Sequence, residues 1–386
     1  MRTRNLEGKL TMSIKTNFLH KSGGNYVHVE QSLFGAIEKN FDRNFATAQY
    51  SEYVVFDALN LALFFGRAGD IFMSHGVADK NYLLKRGPGN RLLLNDFMAV
   101  FVPGPWMKRK LLANPDVKLS AEQIIPVGWP RLDYLFEQQS KSAHSPRSFS
   151  KPKVLWAPTH DARKHGASSL TTSSYPAFSE HVEDLGKIVD LSVGLHPRNR
   201  PDKAPTGIGL LEADVVISDF GTMVYEAWAL GKPVIFPYWL VGEGVKKYRP
   251  GSAEAYIFEK KIGYHPNSIE EMVDLLNRPL ALTDDVKEFM NDYLPPEFNG
   301  RSGMKCAEAM RKLSVGLSAS REKRLFEFVE NSRRAEVSRM TTERKAAKDI
   351  SLQLTIRDEQ IKKLQSQLRK LNRAHQKLVD GLKTIG

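Results

Sequence analysis

Two histidines stand directly after short apolar runs. His75 closes DIFMSH and is followed by Gly76, Asp79 and Lys80, while His196 closes IVDLSVGLH and is followed by Arg198 and Arg200. Imidazole titrates near neutral pH, so a histidine in such a place suits general-base work on a hydroxyl, and nearby guanidinium groups suit a diphosphate. A third stretch, DVVISDFGTMVYEAWALGKPVIFP over Asp214–Pro237, joins an apolar run, the turn Asp219-Phe220-Gly221 and a helix opening at Thr222. The N–H groups of that helix start, the helix dipole and the threonine hydroxyl form an anion site, and Gly221 lets a phosphate approach the backbone. Glu226, one turn on, is placed to accept hydrogen bonds from a ribose diol. The plain alternative is a strand–turn–helix capped by Asp219 or Thr222. Two further loops bind phosphate or simply turn the chain: PVGWPRLD, with Arg131 and Asp133, and APTHDARKHGASS, with Thr159, His160, Arg163 and Lys164.

Parallel strands would gather these residues. The runs Tyr53–Phe56, Asp70–Met73, Met98–Val102 and Gln123–Val127 are short and apolar, and most have turn formers close by, as buried parallel strands should. Ser140 to Lys153, rich in Ser, Lys and Pro, reads as a linker. Val154–Ala157, Ile188–Leu195, Asp214–Ile217 and Pro233–Phe236 form a second set, with a helix over Thr222–Leu230. The pattern predicts an α/β protein of two Rossmann-like parallel-sheet domains facing across a cleft at their strand carboxyl ends. The expected boundaries are 1–139, an acceptor-side domain; 140–153, a linker; 154–319, a nucleotide-donor domain; and 320–386, a basic helix.

That last segment carries much of the charge. Of the net +12, +8 falls after Ser320, which leaves an ordinary balance for the body. Positions alternately three and four apart from Ala347 to Ile385 are apolar except at Arg357 and His375, the signature of a coiled coil and hence of a homo-oligomer through 347–385. The tail's Lys and Arg also suit an anionic membrane surface. The body lacks aromatics interleaved with basic residues, which argues against nucleic acid. A single cysteine, Cys306, excludes an intramolecular disulfide and a cysteine zinc cluster. The most apolar window, Phe56–Gly66, falls short of the roughly 20 residues of a membrane span, and MRTRNLEGKL lacks a signal-peptide core. A cytoplasmic protein, peripheral on the inner face of the membrane, is expected.

The ordered set HG…DK, VGWPRLD, APTHD, GLHP and ISDFGTMVYEAWALGKPVIF, over roughly Phe72 to Leu240, resembles the CDP-glycerol glycerophosphotransferase (teichoic acid polymerase-like) family. The resemblance implies a GT-B fold and transfer of glycerol phosphate, or a related polyol phosphate, from a CDP-activated donor to a polysaccharide or lipid-linked acceptor. It implies that His75 deprotonates the acceptor hydroxyl, that His196 neutralises or protonates the leaving phosphate, and that Asp219–Thr222 holds the diphosphate. No Asp-x-Asp pair lies in these motifs, so neither metal nor cofactor is assigned. The chain departs from the family in Val77-Ala78-Asp79-Lys80 after the first His-Gly and in Gly221-Thr222 where two serines are usual. Gly221-Thr222 with Glu226 is closer to sugar-nucleotide enzymes of the same fold. A glycosyltransferase adding one, chain-terminating sugar is therefore the second reading, and an inactive basic scaffold the third.

Overall fold

The computed structural model describes residues 14–20, 27–41, 46–66, 69–142, 151–160, 170–196, 199 and 207–314, with isolated positions between 330 and 365. The first half runs β1 (Ile14–Leu19), α1 (Val27–Glu38), β2 (Ala46–Ser51), β3 (Leu59–Ala62), β4 (Ile71–Met73), β5 (Ala99–Val102), α2 (Pro105–Leu112), β6 (Ile124–Pro126) and α3 (Pro130–Ser142). Its six strands pair in parallel in the order β2-β1-β3-β4-β5-β6. The second half continues with β7 (Lys153–Ala157), α4 (Val182–Ile188), β8 (Asp190–Val193), α5 (Gly207–Glu212), β9 (Val215–Ser218), α6 (Thr222–Ala229) and β10 (Val234–Ile235). These four strands form a second parallel sheet, β10-β9-β7-β8. The chain ends its compact body with α7 (Tyr238–Tyr248), α8 (Ala253–Lys260), α9 (Ile269–Leu276), α10 (Asp284–Tyr293) and α11 (Ser302–Ser314).

The two-sheet α/β architecture is the one expected, with strands close to the anticipated places from β4 onward. β3, β4, β5 and β9 are buried along their whole length, which is why they read as apolar runs. Tyr53–Phe56 is a correction. It is a loop, with Tyr53 76% exposed, and the strand begins at Leu59. Buried asparagines explain the shift. Asn60 of β3 donates to the Val55 carbonyl and accepts the Val55 N–H, both at 2.9 Å, and Asn17 of β1 donates to the Tyr53 carbonyl. The side chains thus take over the backbone groups of the loop, leaving them no ladder to join.

α11 packs on α1 and α3 of the first half, so the chain returns to the first sheet's layer at its end. A Cβ on Gly303 would lie 2.0 Å from the Ala36 carbonyl oxygen of α1; only glycine permits that approach. Residues 140–142 belong to α3 and Lys153 to β7; 143–150, within the expected linker, lie outside the described residues. Phe326–Gly386 forms a second unit. Its described positions are helical and, apart from the half-buried Glu330, exposed, Val337 and Met340 among them, but the heptad seam lies outside the described residues. Among the described residues no helix is long and apolar enough to cross a membrane.

Candidate functional site

The carboxyl ends of β4, β7, β8 and β9 deliver the chemistry-bearing residues. Past β4, His75 stacks its ring on Phe64 at 4.6 Å and meets Tyr82 edge-on at 5.0 Å, so two aromatic walls set its orientation. Gly76 brings this loop against the second sheet. A Cβ there would lie 2.8 Å from Oγ1 of Thr222, the first residue of α6. His75 and the start of α6 therefore border one space, although they come from different sheets. Past β7 and β8, His160 and His196 pack ring against ring, with centroids 4.9 Å apart. Arg163 and Arg198, two expected phosphate ligands, lie outside the described residues.

The turn between β9 and α6 has the geometry of an anion cradle. Gly221 takes φ +108°, a conformation that L side chains rarely adopt, and no side chain caps α6. Asp219 does not serve as a cap. It is buried and accepts the Thr159 N–H at 2.8 Å and the Thr159 hydroxyl at 3.2 Å, tying the ends of β9 and β7 together. Burial pushes its carboxyl up to about 6, against the hydrogen bonds from Ser174 and Thr159 that hold it down. The Thr159 hydroxyl is thus engaged within the protein, also facing the Thr172 carbonyl at 3.3 Å.

Positive charge at the turn comes from Lys80 and Arg249. The Lys80 ammonium sits 4.9 Å from the Phe220 ring centroid and 3.0 Å from where a Gly221 Cβ would be; the Arg249 guanidinium lies 5.7 Å from the same ring. Desolvation lowers the Lys80 pKa, partly offset by Glu254. Among the described residues the Lys80 ammonium has no hydrogen-bond partner, which leaves its charge directed at the turn. No cluster of three or more His, Cys, Asp or Glu among the described residues could hold a metal ion.

Four expected cleft residues take other posts. Glu226 has no exposed surface. It accepts the Trp129 indole N–H at 3.0 Å and pairs with Arg131 at 3.2 Å, so both Glu226 and Arg131 join the two halves. Both contacts use Oε1, while Oε2 is buried without a hydrogen-bond partner among the described residues. Asp133 receives the N–H groups of Ser302 and Gly303 at 3.0 and 2.7 Å and caps α11, because a buried helix start needs an acceptor. Asp79 points into the contact with α8, receiving the Ala253 N–H at 2.8 Å and pairing with Lys110.

No family model matches the chain. Over 228 residues it is 24% identical to the teichoic acid ribitol-phosphate polymerase TarL of Staphylococcus aureus, covering 50% of this chain and 38% of that protein. Over 143 residues it is 27% identical to TarK, a polymerase of the same description and organism, covering 30% and 27%. The matches span less than two fifths of those relatives' own length. The solved wall teichoic acid polymerase TagF superposes with a TM-score of 0.51 over 78% of this chain and 90% of that one, at 13% identity. This chain has the GT-B fold of that polymerase. The sequence resemblance to the teichoic acid polymerases and the shared fold agree, and the parallel sheets are the two halves of a GT-B cleft.

Sequence reasoning missed several participants in that GT-B cleft. Glu254 and Lys110 sit in helices without a motif, Arg249 directly follows α7, and Tyr225 lies within the 214–237 stretch without having been singled out; their nearness to the 75–80 loop comes from tertiary packing. Ser173 and Ser174 were equally silent, although Ser173 donates to the Thr159 carbonyl at 3.1 Å. The run TTSS carried no periodicity to mark it.

Proposed function

We propose that this chain transfers a polyol phosphate, such as glycerol phosphate, from a CDP-activated donor to a growing wall polymer or its lipid-linked primer. The observation that carries the reading is the meeting of Gly76 and Thr222, which sets a histidine of one sheet beside the uncapped helix start of the other. The names of TarL, TarK and TagF supply the substrate class.

In this reading the donor's diphosphate lies over Gly221 and the first N–H groups of α6, with Lys80 alongside. His75 takes the proton of the acceptor hydroxyl as its oxygen attacks the β-phosphorus. A new phosphodiester bond forms, the bond to the bridging oxygen breaks, and CMP leaves with the electron pair. His196 protonates or neutralises the departing phosphate. The charge on that phosphate is met by fixed N–H dipoles and the Lys80 ammonium, which need no reorganisation during the reaction. A positioned base contributes about 10²–10⁴-fold. The basic tail would hold the enzyme to an anionic membrane and to a second copy of itself, on the cytoplasmic face where nucleotide donors are made available.

Calorimetry on the purified protein with CDP, CMP and UDP tests this. Micromolar binding of CDP is expected. A clear preference for UDP would favour the glycosyltransferase reading, which the Gly221-Thr222 pair also suits, and binding of none would remove the transferase reading.

A further inference from the structure

The loop 79–81 and the start of α8 exchange carboxylates across the two halves. Glu254, in the first turn of α8, accepts the consecutive backbone N–H groups of Asp79 at 2.9 Å and Lys80 at 2.7 Å, and the Tyr225 hydroxyl at 2.8 Å. In return Asp79 receives the Ala253 N–H and the Lys110 ammonium, and Lys110 also donates to Asn81 Oδ1 at 2.6 Å. Asn81 donates to the Pro250 carbonyl at 2.9 Å. Both carboxylates are buried.

This arrangement is costly as a stability device. Two acidic groups share one desolvated place, and burial together with the Glu254 charge pushes the Asp79 carboxyl up to about 6. Lys80 and Asn81 also hold φ of +45° and +55°, strained for residues with a Cβ. Successive N–H groups aimed at one anion form a nest, and here the anion is a side chain of the opposite half. The consequence of that backbone shape is the direction of the Lys80 side chain, whose ammonium ends at the Gly221 turn and over Phe220.

We propose that Glu254 is a positioning residue: by gripping the Asp79 and Lys80 N–H groups across the cleft it sets the Lys80 ammonium at the donor's diphosphate, so that closure of the two halves and completion of the anion site are one event. The inference rests on the reading of Gly221–Thr222 as the diphosphate turn. It explains why strain is kept in the loop. A relaxed backbone at Lys80 would release the ammonium from the turn.

Binding of CDP and of inorganic pyrophosphate to the full chain, measured by calorimetry, tests it in wild type, Glu254→Gln, Lys80→Met and the double variant, each checked for folding by thermal melting. Each single variant is expected to bind CDP about 10- to 100-fold more weakly, the range of one charge-assisted contact. The double variant is expected to bind no more weakly than Lys80→Met alone, because both changes remove the same contact. A merely structural role for Glu254 would lower the melting temperature and leave the affinity of the folded protein alone. Should Glu254→Gln fail to fold, Glu254→Asp keeps the charge and withdraws it by one methylene; its smaller loss should likewise vanish in the Lys80→Met background. Wild-type affinity in a folded Glu254 variant, or additive losses in the double variant, would overturn the inference while the donor reading stands. A wild-type protein that binds neither probe would overturn both.

Discussion

Replacing Gly221 by alanine perturbs the anion turn at a place where the structure supplies the magnitudes. At φ +108° and ψ −166° the residue lies in a region open essentially to glycine alone, and a Cβ imposes strain of about 1–3 kcal/mol. The new methyl would also meet Lys80, with Nζ at 3.0 Å and Cε at 3.3 Å. That is about 0.5–1 Å inside ordinary contact, and the end of the lysine chain is free to retreat. The steric cost is therefore small, but the ammonium leaves its post. Losing one charge-assisted hydrogen bond to a phosphate costs about 1.5–3 kcal/mol, or roughly 10- to 100-fold in donor affinity. Gly221→Ala should lower the melting midpoint by about a few degrees. In calorimetry it should weaken CDP binding by the stated factor. In a Lys80→Met background the same change should cost markedly less affinity, since the charge is already gone. Wild-type CDP affinity in Gly221→Ala would refute the placement of the diphosphate at this turn.

Three other outcomes are expected. His75→Ala should abolish turnover while CDP affinity stays near wild type, measured by release of CMP and by calorimetry; retained turnover would remove His75 as the base. Asp219 holds its proton more tightly folded, at about 6, than unfolded, at 3.8, so the stability advantage of its neutral form is complete below pH 4 and is lost as pH rises to 6. The gap of about two pKa units corresponds to about 3 kcal/mol. The stability difference between wild type and Asp219→Asn, followed by denaturant unfolding from pH 4 to pH 7, should fall by that amount, and a flat difference would contradict the assignment. Trp129→Phe removes the indole N–H from the buried Glu226 carboxylate, leaving Arg131 as its charged partner. Unfolding measurements should show a loss of about 1–3 kcal/mol; an unchanged midpoint would mean that the junction is not stabilising.

β4, β5, β7, β9 and β10 were legible because burial on both faces selects unbroken apolar runs, as in AVFV of β5 and VVIS of β9, whereas β8 is largely exposed. β1 and β3 were not legible. β1 buries Thr16 and Asn17, and β3 buries Asn60, polar residues that break the run. Their burial is tolerable only because Asn17 donates to Asn60 at 2.9 Å and Asn60 donates to Asp70 at 3.0 Å, across 43 and 10 residues of sequence. The run YVVF, exposed at Tyr53 and Phe56, looks more like a strand than the strand that follows it, and no local rule separates the two.

The same division holds at the candidate site. Residue type and spacing alone marked His75, His196 and the Asp219–Thr222 turn, since a strand end, a glycine and a helix start are local features that fix what chemistry can be offered. Local pattern does not encode which carboxylates face a ligand and which hold the protein together. Glu226, Asp79 and Asp133 each looked like cleft residues, yet each is buried against a donor from a distant segment: an indole, a helix start and another helix start. Burying a carboxylate without such donors costs more than a surface position, so packing between the halves assigned these acids their posts. Local sequence sets the repertoire of groups at the strand ends. The tertiary structure decided which of them meet, because Gly76 touches Thr222 and Glu254 grips Lys80 only when the two halves close on one another.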